Sequence, residues 1–209
     1  LAKIEPFEKY TKQYDSWFDK YNYVYQSELL AIRKLLKIDK NGVEIGIGSG
    51  RFASPLGIKH GIEPSNKMGK LAMKHGIKVI KGVAENLPYS DNMFDYALMV
   101  TTICFLDDIK KAFDEVYRIL NHDGFFIVGF IDKESPIGKI YQENKVNNPF
   151  YKNANFYSVR EVLYYLTNSG FEDFSFCQTI FKALEEINNI EPVKKGYGKG
   201  SFIVIKANK

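Results

Sequence analysis

A β-branched run that breaks into alternating glycines, Val43-Glu44-Ile45-Gly46-Ile47-Gly48-Ser49-Gly50, is the feature that most limits how this chain can fold. A buried strand reads as a near-continuous apolar run. Glycines at its end permit positive φ and a close approach of backbone to ligand, and the free N–H groups of a following helix start favour an anion or carboxylate. Spacing narrows the choice further. The dinucleotide fingerprint needs glycines at its first, third and sixth positions. Counted from Gly46 and Gly48, the sixth position is Arg51, so the loop reads ExGxGxG and departs from that fingerprint.

Around this loop the hydrophobic period alternates between helix and strand. The first forty residues read as helix, with apolar or aromatic residues at positions 14, 17, 18, 21, 25, 29, 32, 35 and 36. After the first strand, residues 58–62 predict a second, residues 66–74 a helix, 77–80 a third strand and 94–100 a fourth. Asp107-Asp108 opens a helix through Leu120, its acids placed where the helix dipole favours them. Asp123-Gly124 then turns the chain into a fifth strand over 125–131. Ser158 caps a last helix to about Asn168, and residues 174–181 and 202–205 predict two strands with a loop and no helix between them. Strands alternating with helices imply a doubly wound, mostly parallel α/β sheet of seven strands, ending in an antiparallel hairpin. Residues 1–40 are expected to form a helical cap on a domain of residues 41–209. The Pro-, Gly- and Asn-bearing stretch 132–157 is an insertion expected to complete that cap. Only ten residues separate Ile47 from Ile58, and Pro55 and Gly57 lie among them, so the first crossover helix is predicted to be a turn or two.

Composition excludes several classes. The chain has 209 residues and a net charge of +4, enough for one domain with a buried core. Two cysteines, Cys104 and Cys177, make no disulfide framework, and no CxxC or Cys/His cluster points to a metal. No apolar stretch approaches membrane-spanning length and no apolar signal core opens the chain, so a cytoplasmic protein is expected. The chain starts at Leu1 rather than Met, which suggests that a few residues precede it.

Taken in order, these motifs resemble class I S-adenosylmethionine-dependent methyltransferases, in particular the broad small-molecule group called type 11. Besides the glycine loop, the resemblance rests on Glu63 ending the second strand and on Gly82-Val83-Ala84-Glu85-Asn86-Leu87-Pro88 followed by Phe94-Asp95. It continues through Glu115-Val116-Tyr117-Arg118-Ile119-Leu120 to Gly124, and through Phe156-Tyr157-Ser158 to Gly170-Phe171. It implies a Rossmann-like fold, S-adenosyl-L-methionine as cofactor and S-adenosyl-L-homocysteine as product. It implies cofactor contacts from Glu44, Gly46, Gly48, Gly50, Glu63, Pro64, Ser65, Ala84, Glu85, Asn86 and Thr101. Glu63 would accept hydrogen bonds from the ribose hydroxyls. Glu85 or the neighbouring backbone would meet adenine, and Glu44 would lie beside the cofactor ammonium.

Methyl transfer from a sulfonium is an in-line displacement in which the protein aligns the acceptor and excludes water. The loop after the fourth strand, Thr101-Thr102-Ile103-Cys104-Phe105, lacks the Asn/Asp-Pro-Pro-aromatic signature of enzymes that methylate base or glutamine amide nitrogens. None of His60, His75 and His122 stands out as a general base, and no catalytic residue is assigned. The lysines are dispersed among acids; Lys194, Lys195 and Lys199 beside Tyr197 form the best basic cluster, so an RNA acceptor is the lesser alternative. An NAD-dependent oxidoreductase and an inactive cofactor-binding protein are alternatives of other classes, the first opposed by Arg51. The small-molecule acceptor is expected to meet aromatic walls, because the aromatic residues are unevenly placed: Phe7, Tyr10, Tyr14, Trp17, Phe18, Tyr21, Tyr23 and Tyr25 crowd the first 25 residues, and Tyr141, Phe150, Tyr151, Phe156 and Tyr157 form a second crowd, both outside the sheet strands. Tyr10, Tyr14, Trp17 and Phe18 would meet Tyr151, Phe156 and Tyr157 above the methyl group, with Thr102 and Phe105 beside them, and would hold a cationic acceptor by cation–π attraction.

Overall fold

A computed structural model describes residues 3–36 and 40–209; the helical reading of residues 1–2 and 37–39 lies outside these. Helices α1 (Glu5–Lys9), α2 (Thr11–Lys20) and α3 (Asn22–Leu35) precede strand β1 (Gly42–Ile45). Then follow α4 (Ala53–Leu56), β2 (His60–Ile62), α5 (Asn66–Lys74), β3 (Lys78–Ile80), β4 (Phe94–Val100), α6 (Ile109–Ile119) and β5 (Leu120–Ile131). Helices α7 (Pro136–Glu143) and α8 (Val159–Asn168) lead to β6 (Glu172–Thr179), β7 (Lys194–Lys195) and β8 (Phe202–Asn208). Among the described residues the strands form one eight-stranded sheet in the order β3-β2-β1-β4-β5-β8-β6-β7. The first five are parallel and the last three run antiparallel. This is the Rossmann-like methyltransferase architecture with its C-terminal hairpin. The strand beyond the expected seven is β7, two residues of the presumed loop that pair with Cys177 and Gln178 at the sheet edge.

Alternation along β4 divides the interior into two layers. Ala97 and Met99 face α6 and α8, where they meet Phe113, Val116, Val162 and Leu166. Tyr96, Leu98 and Val100 face the other way, toward Leu29 and Ile32 of α3 and Ala53 and Leu56 of α4. Period-two burial on both faces is what a central parallel strand requires. The short crossover helix is confirmed: α4 has four residues and ends on Gly57, whose φ of 74° is the left-handed conformation that stops a helix. A helix this short leaves its face of the sheet thinly covered, and α3 covers the C-terminal part of the same face by packing on β5, β6 and β8. The N-terminal segment therefore does two jobs. Helices α1 and α2 lie over the strand ends, whereas α3 is a layer of the core.

Beyond shifts of two or three residues at several strand ends, two features differ from the sequence reading. The fifth strand begins earlier, at Leu120, because Phe94 pairs with Leu120 while Tyr96 pairs with Phe125; the 121–124 turn is a bulge inside the strand. The Asp132–Tyr157 insertion is not all irregular, since Ser135 caps α7 by accepting from the Gly138 N–H at 3.0 Å. At α8 the Ser158 hydroxyl and the Glu161 carboxylate cap one another's backbone N–H groups. Ser158→Ala should lower unfolding free energy by about 1 kcal/mol, read as a shift in the urea midpoint without a change in slope.

Candidate active site

In the strand order the succession of strands switches sides between the parallel neighbours β1 and β4, the place where open α/β sheets bind ligands outside the carboxyl ends of their strands. The glycine loop leaves β1 there. Gly46, Gly48 and Gly50 have φ of 69°, 57° and 83°, and a Cβ on Gly46 would lie 2.3 Å from Thr102. A Cβ on Gly48 would instead face Met68 and Tyr14 at 3.6 and 4.0 Å. The Gly48 N–H donates to Glu63 Oε2 at 2.8 Å and the Ser65 N–H to Glu63 Oε1 at 2.9 Å. Burial pushes the Glu63 carboxyl above its ordinary pKa, and those two backbone donors oppose the rise.

A cleft runs from this loop along the strand ends. Gly46, Gly48, Glu63, Pro64, Ala84, Glu85, Thr101, Thr102 and Phe105 line it, as does Tyr14 from α2. Gly50 and Ser65 stand behind them. Gly50 packs against Ile77 and Ala72, and the Ser65 hydroxyl caps α5 by accepting from the Met68 N–H at 3.2 Å. Glu85 already accepts from the Asp107 and Asp108 N–H groups at 2.9 and 3.3 Å, so it also braces the start of α6.

Besides Gly50 and Ser65, two further expected cofactor residues do not line this wall. Asn86 is exposed and its N–H is used on the Val83 carbonyl at 3.3 Å, closing the turn. Glu44 projects from the opposite face of β1 to Val43 and Ile45, toward α4, where its carboxyl accepts from the Ala53 N–H. Its Oε2 has no partner, and burial drives the pKa well above the ordinary value, so this place in the core favours the neutral form of the Glu44 acid.

A second cavity, of about 450 Å³, opens beyond Tyr14 and Thr101. Tyr14, Trp17 and Phe18 line it from α2, Tyr141 from α7, and Phe150 and Tyr151 from the loop that follows. Phe18 is mostly core, 6% exposed and set edge-on to Tyr25 and Phe52. Phe156 and Tyr157 line a smaller neighbouring cavity with Tyr141, Tyr151 and Cys104. The expected meeting of the two aromatic segments therefore occurs, but through Phe150, whose ring lies 5.7 Å from Phe7, 6.2 Å from Tyr10 and 5.6 Å from Tyr14. Tyr10 packs there and lines none of these three cavities.

Thr101 borders all three cavities. Its φ of 48° is unusual for a β-branched residue and costs about 1–3 kcal/mol, strain of a kind that collects at functional sites. Its side chain hydrogen-bonds the Tyr14 hydroxyl, a phenol that burial keeps protonated. The Cys104 thiol donates to the Thr101 carbonyl at 3.5 Å, and burial pushes its pKa up to about 12, so it is no nucleophile at neutral pH.

Arg51, the residue that breaks the dinucleotide fingerprint, grips α2. Its Nε and Nη2 reach the Asp15 carboxylate at 2.9 and 2.7 Å, and Nη1 reaches Asp19 at 3.1 Å. The Ser49 hydroxyl donates to the same Asp15 at 2.6 Å, so the glycine loop itself positions the helix that carries Tyr14 and Trp17. Sequence reasoning missed Glu28, which lies on the cavity wall in α3. The signal was present: Tyr25, Glu28 and Ile32 share one helical stripe, and an acid in an apolar stripe is out of place.

Comparison with known proteins agrees with this geometry. Residues 43–128 match the methyltransferase domain family. The chain is 50% identical to a SAM-dependent methyltransferase, possible histamine N-methyltransferase, of Thermotoga maritima; 99% of each chain is covered, with a TM-score of 0.96. An uncharacterized protein of Methanocaldococcus jannaschii is 43% identical over 97% of this chain and 98% of its own length. One from Mycobacterium bovis is 33% identical over 76% of this chain, which spans 57% of that longer protein. The chain belongs to the class I S-adenosylmethionine-dependent methyltransferases, and S-adenosyl-L-methionine is its cofactor.

The cleft residues fit that cofactor. Each Glu63 oxygen receives one N–H and retains a lone pair for a ribose hydroxyl. Ile62, Met68, Ala84 and Leu106 supply apolar wall for a purine ring, and Gly48 leaves its face of the loop bare. Glu63→Ala should weaken S-adenosylhomocysteine binding by roughly 30–100-fold, about 2–3 kcal/mol for the lost charge-assisted hydrogen bonds. Glu63→Gln should lose about tenfold. Isothermal titration calorimetry reads both.

Proposed function

We propose that this enzyme transfers the methyl group of S-adenosylmethionine to a small-molecule acceptor at a nitrogen, oxygen or sulfur nucleophile, by in-line displacement. The reading is carried by the partly open aromatic cavity of about 450 Å³ that meets the cofactor cleft at Tyr14 and Thr101. A cavity of this size suits a ligand of drug-like dimensions or smaller. Rings on several sides exclude water, which protects the sulfonium and strengthens polar contacts to the acceptor. The α1–α2 segment and the 132–157 insertion serve as the cap that builds this chamber. Cofactor binding falls to the glycine loop, Glu63, Pro64 and the Ala84-Glu85 backbone. Acceptor placement falls to Tyr14, Trp17, Phe18, Thr102, Phe105, Tyr151 and Tyr157.

An RNA acceptor fits less well. Lys194 and Lys195 lie on β7, the sheet edge farthest in strand order from β1–β3, and the Lys194 ammonium sits 4.5 Å over the Phe181 ring. An oxidoreductase is disfavoured by the engagement of Arg51 with α2. The two free, buried cysteines suit a reducing compartment, and the cytoplasm is the proposed site of action.

A tritiated-methyl transfer screen over small amines, thiols, phenols and carboxylates, with total RNA as a further arm, tests the proposal. Label should move to at least one small acceptor. Transfer confined to the RNA arm would refute it. The Thermotoga protein, with its description as a possible histamine N-methyltransferase, makes amines the first arm to run.

A further inference from the structure

Glu28 is the one group in the aromatic cavity that chemistry does not expect of a packing surface. It is 4% exposed, it lines the cavity, and among the described residues it has no hydrogen-bond or ion-pair partner. The charged groups that otherwise line the cavity are Lys20 and Glu185, both exposed. The titratable groups facing Glu28 from the surrounding elements are the phenols of Tyr14, Tyr25, Tyr141 and Tyr151, none of which is a cation. Burial alone pushes the Glu28 carboxyl up to about 8. An acid in such a place is destabilising unless a ligand supplies the missing partner.

We infer that the acceptor is a compact amine that enters as its ammonium ion, paired with Glu28 and enclosed by the rings of Tyr14, Trp17, Tyr141 and Tyr151. The inference rests on the reading that this cavity receives the methyl acceptor. A carboxylate and several π faces around one small volume suit a primary or secondary ammonium and no neutral or anionic group equally well. The pair also serves the chemistry, because a protonated amine has no lone pair to react. Glu28 takes one proton from the ammonium, which leaves a neutral amine and a neutral carboxylic acid. The freed nitrogen lone pair forms the new N–C bond as the S–CH₃ bond breaks with its electrons remaining on sulfur. The products are S-adenosylhomocysteine and the methylated ammonium, and Glu28 releases its proton to solvent when the product leaves.

The only tryptophan of the chain, Trp17, lies in this wall and reports occupancy by its fluorescence. The probes are 2-phenylethylamine, its imidazole and phenol analogues, and 2-phenylethanol as the uncharged control, each titrated into enzyme saturated with S-adenosylhomocysteine. At least one amine should bind about tenfold or more tightly than the alcohol. Its affinity should rise between about pH 6 and pH 8 as Glu28 ionises, until the amine itself loses its proton. Glu28→Gln should abolish the preference for amine over alcohol while leaving S-adenosylhomocysteine affinity unchanged.

A raised carboxyl pKa destabilises the native state as pH climbs from the ordinary carboxylate range toward the raised value. Glu28→Gln should therefore melt above wild type at about pH 9, which also shows that the variant is folded. Equal binding of amines and alcohol by wild type, failure of every amine to bind, or an amine preference that survives Glu28→Gln would overturn the inference. Methyl transfer to neutral acceptors in that case would leave the small-molecule reading standing. Absence of transfer to every small acceptor, with amine binding through Glu28 intact, would instead sink that reading alone.

Discussion

The Glu63 carboxylate joins the ends of β1 and β2 and sets the shape of everything around them. It takes the Gly48 N–H on one oxygen and the Ser65 N–H on the other. A glycine loop with positive φ at three positions has little intrinsic preference for one shape. An almost fully buried carboxylate fixes it, because separating the pair would leave a charge and two N–H groups unsatisfied in a low dielectric. From that fixed loop Ser49 and Arg51 hold Asp15, and Asp15 holds α2. The wall of the cleft and that of the aromatic cavity are thus placed by one chain of charge-assisted hydrogen bonds.

The chamber beyond the loop is built on less favourable terms. Thr101 is held at positive φ, Ile180, which lines the same cavity, likewise at 64°, and Glu28 faces the space without a partner among the described residues. Each is a departure from what local propensity and burial favour, and the three lie around one cavity. Strand β4 shows none of this and alternates cleanly between the two core layers, whereas Glu44 on β1 is a buried acid with one unpartnered oxygen. Departures of this kind gather where stability is traded for activity, and three of them share this cavity.

Much of this was legible along the chain. The glycine loop, Glu63 at the end of β2, the four-residue crossover helix and the Ser158 cap are local patterns, and each is governed by neighbours within a few residues. The same locality explains where the placement differs from the reading. Glu44 read as a ligand residue because an acid in a buried strand needs a partner; which face of β1 it occupies, and that α4 supplies its donor, depend on packing. Asn86 read as an adenine contact because it lies in the right loop, but its N–H closes the turn. The rings expected to face Tyr10, Tyr14, Trp17 and Phe18 were Tyr151, Phe156 and Tyr157, whereas Phe150 of the same segment makes the ring contacts to Phe7, Tyr10 and Tyr14.

By itself the amino-acid sequence determined the parallel core, the cofactor loop and its acid, because strand period, glycine spacing and helix caps are short-range physics written in adjacent residues. The tertiary structure alone decided that Arg51 clasps α2, that α3 covers the sheet where α4 is short, and that Glu28 opens into an aromatic chamber. Those facts join residues more than twenty positions apart or set a side chain's face by packing. No local propensity encodes which distant surface will meet which.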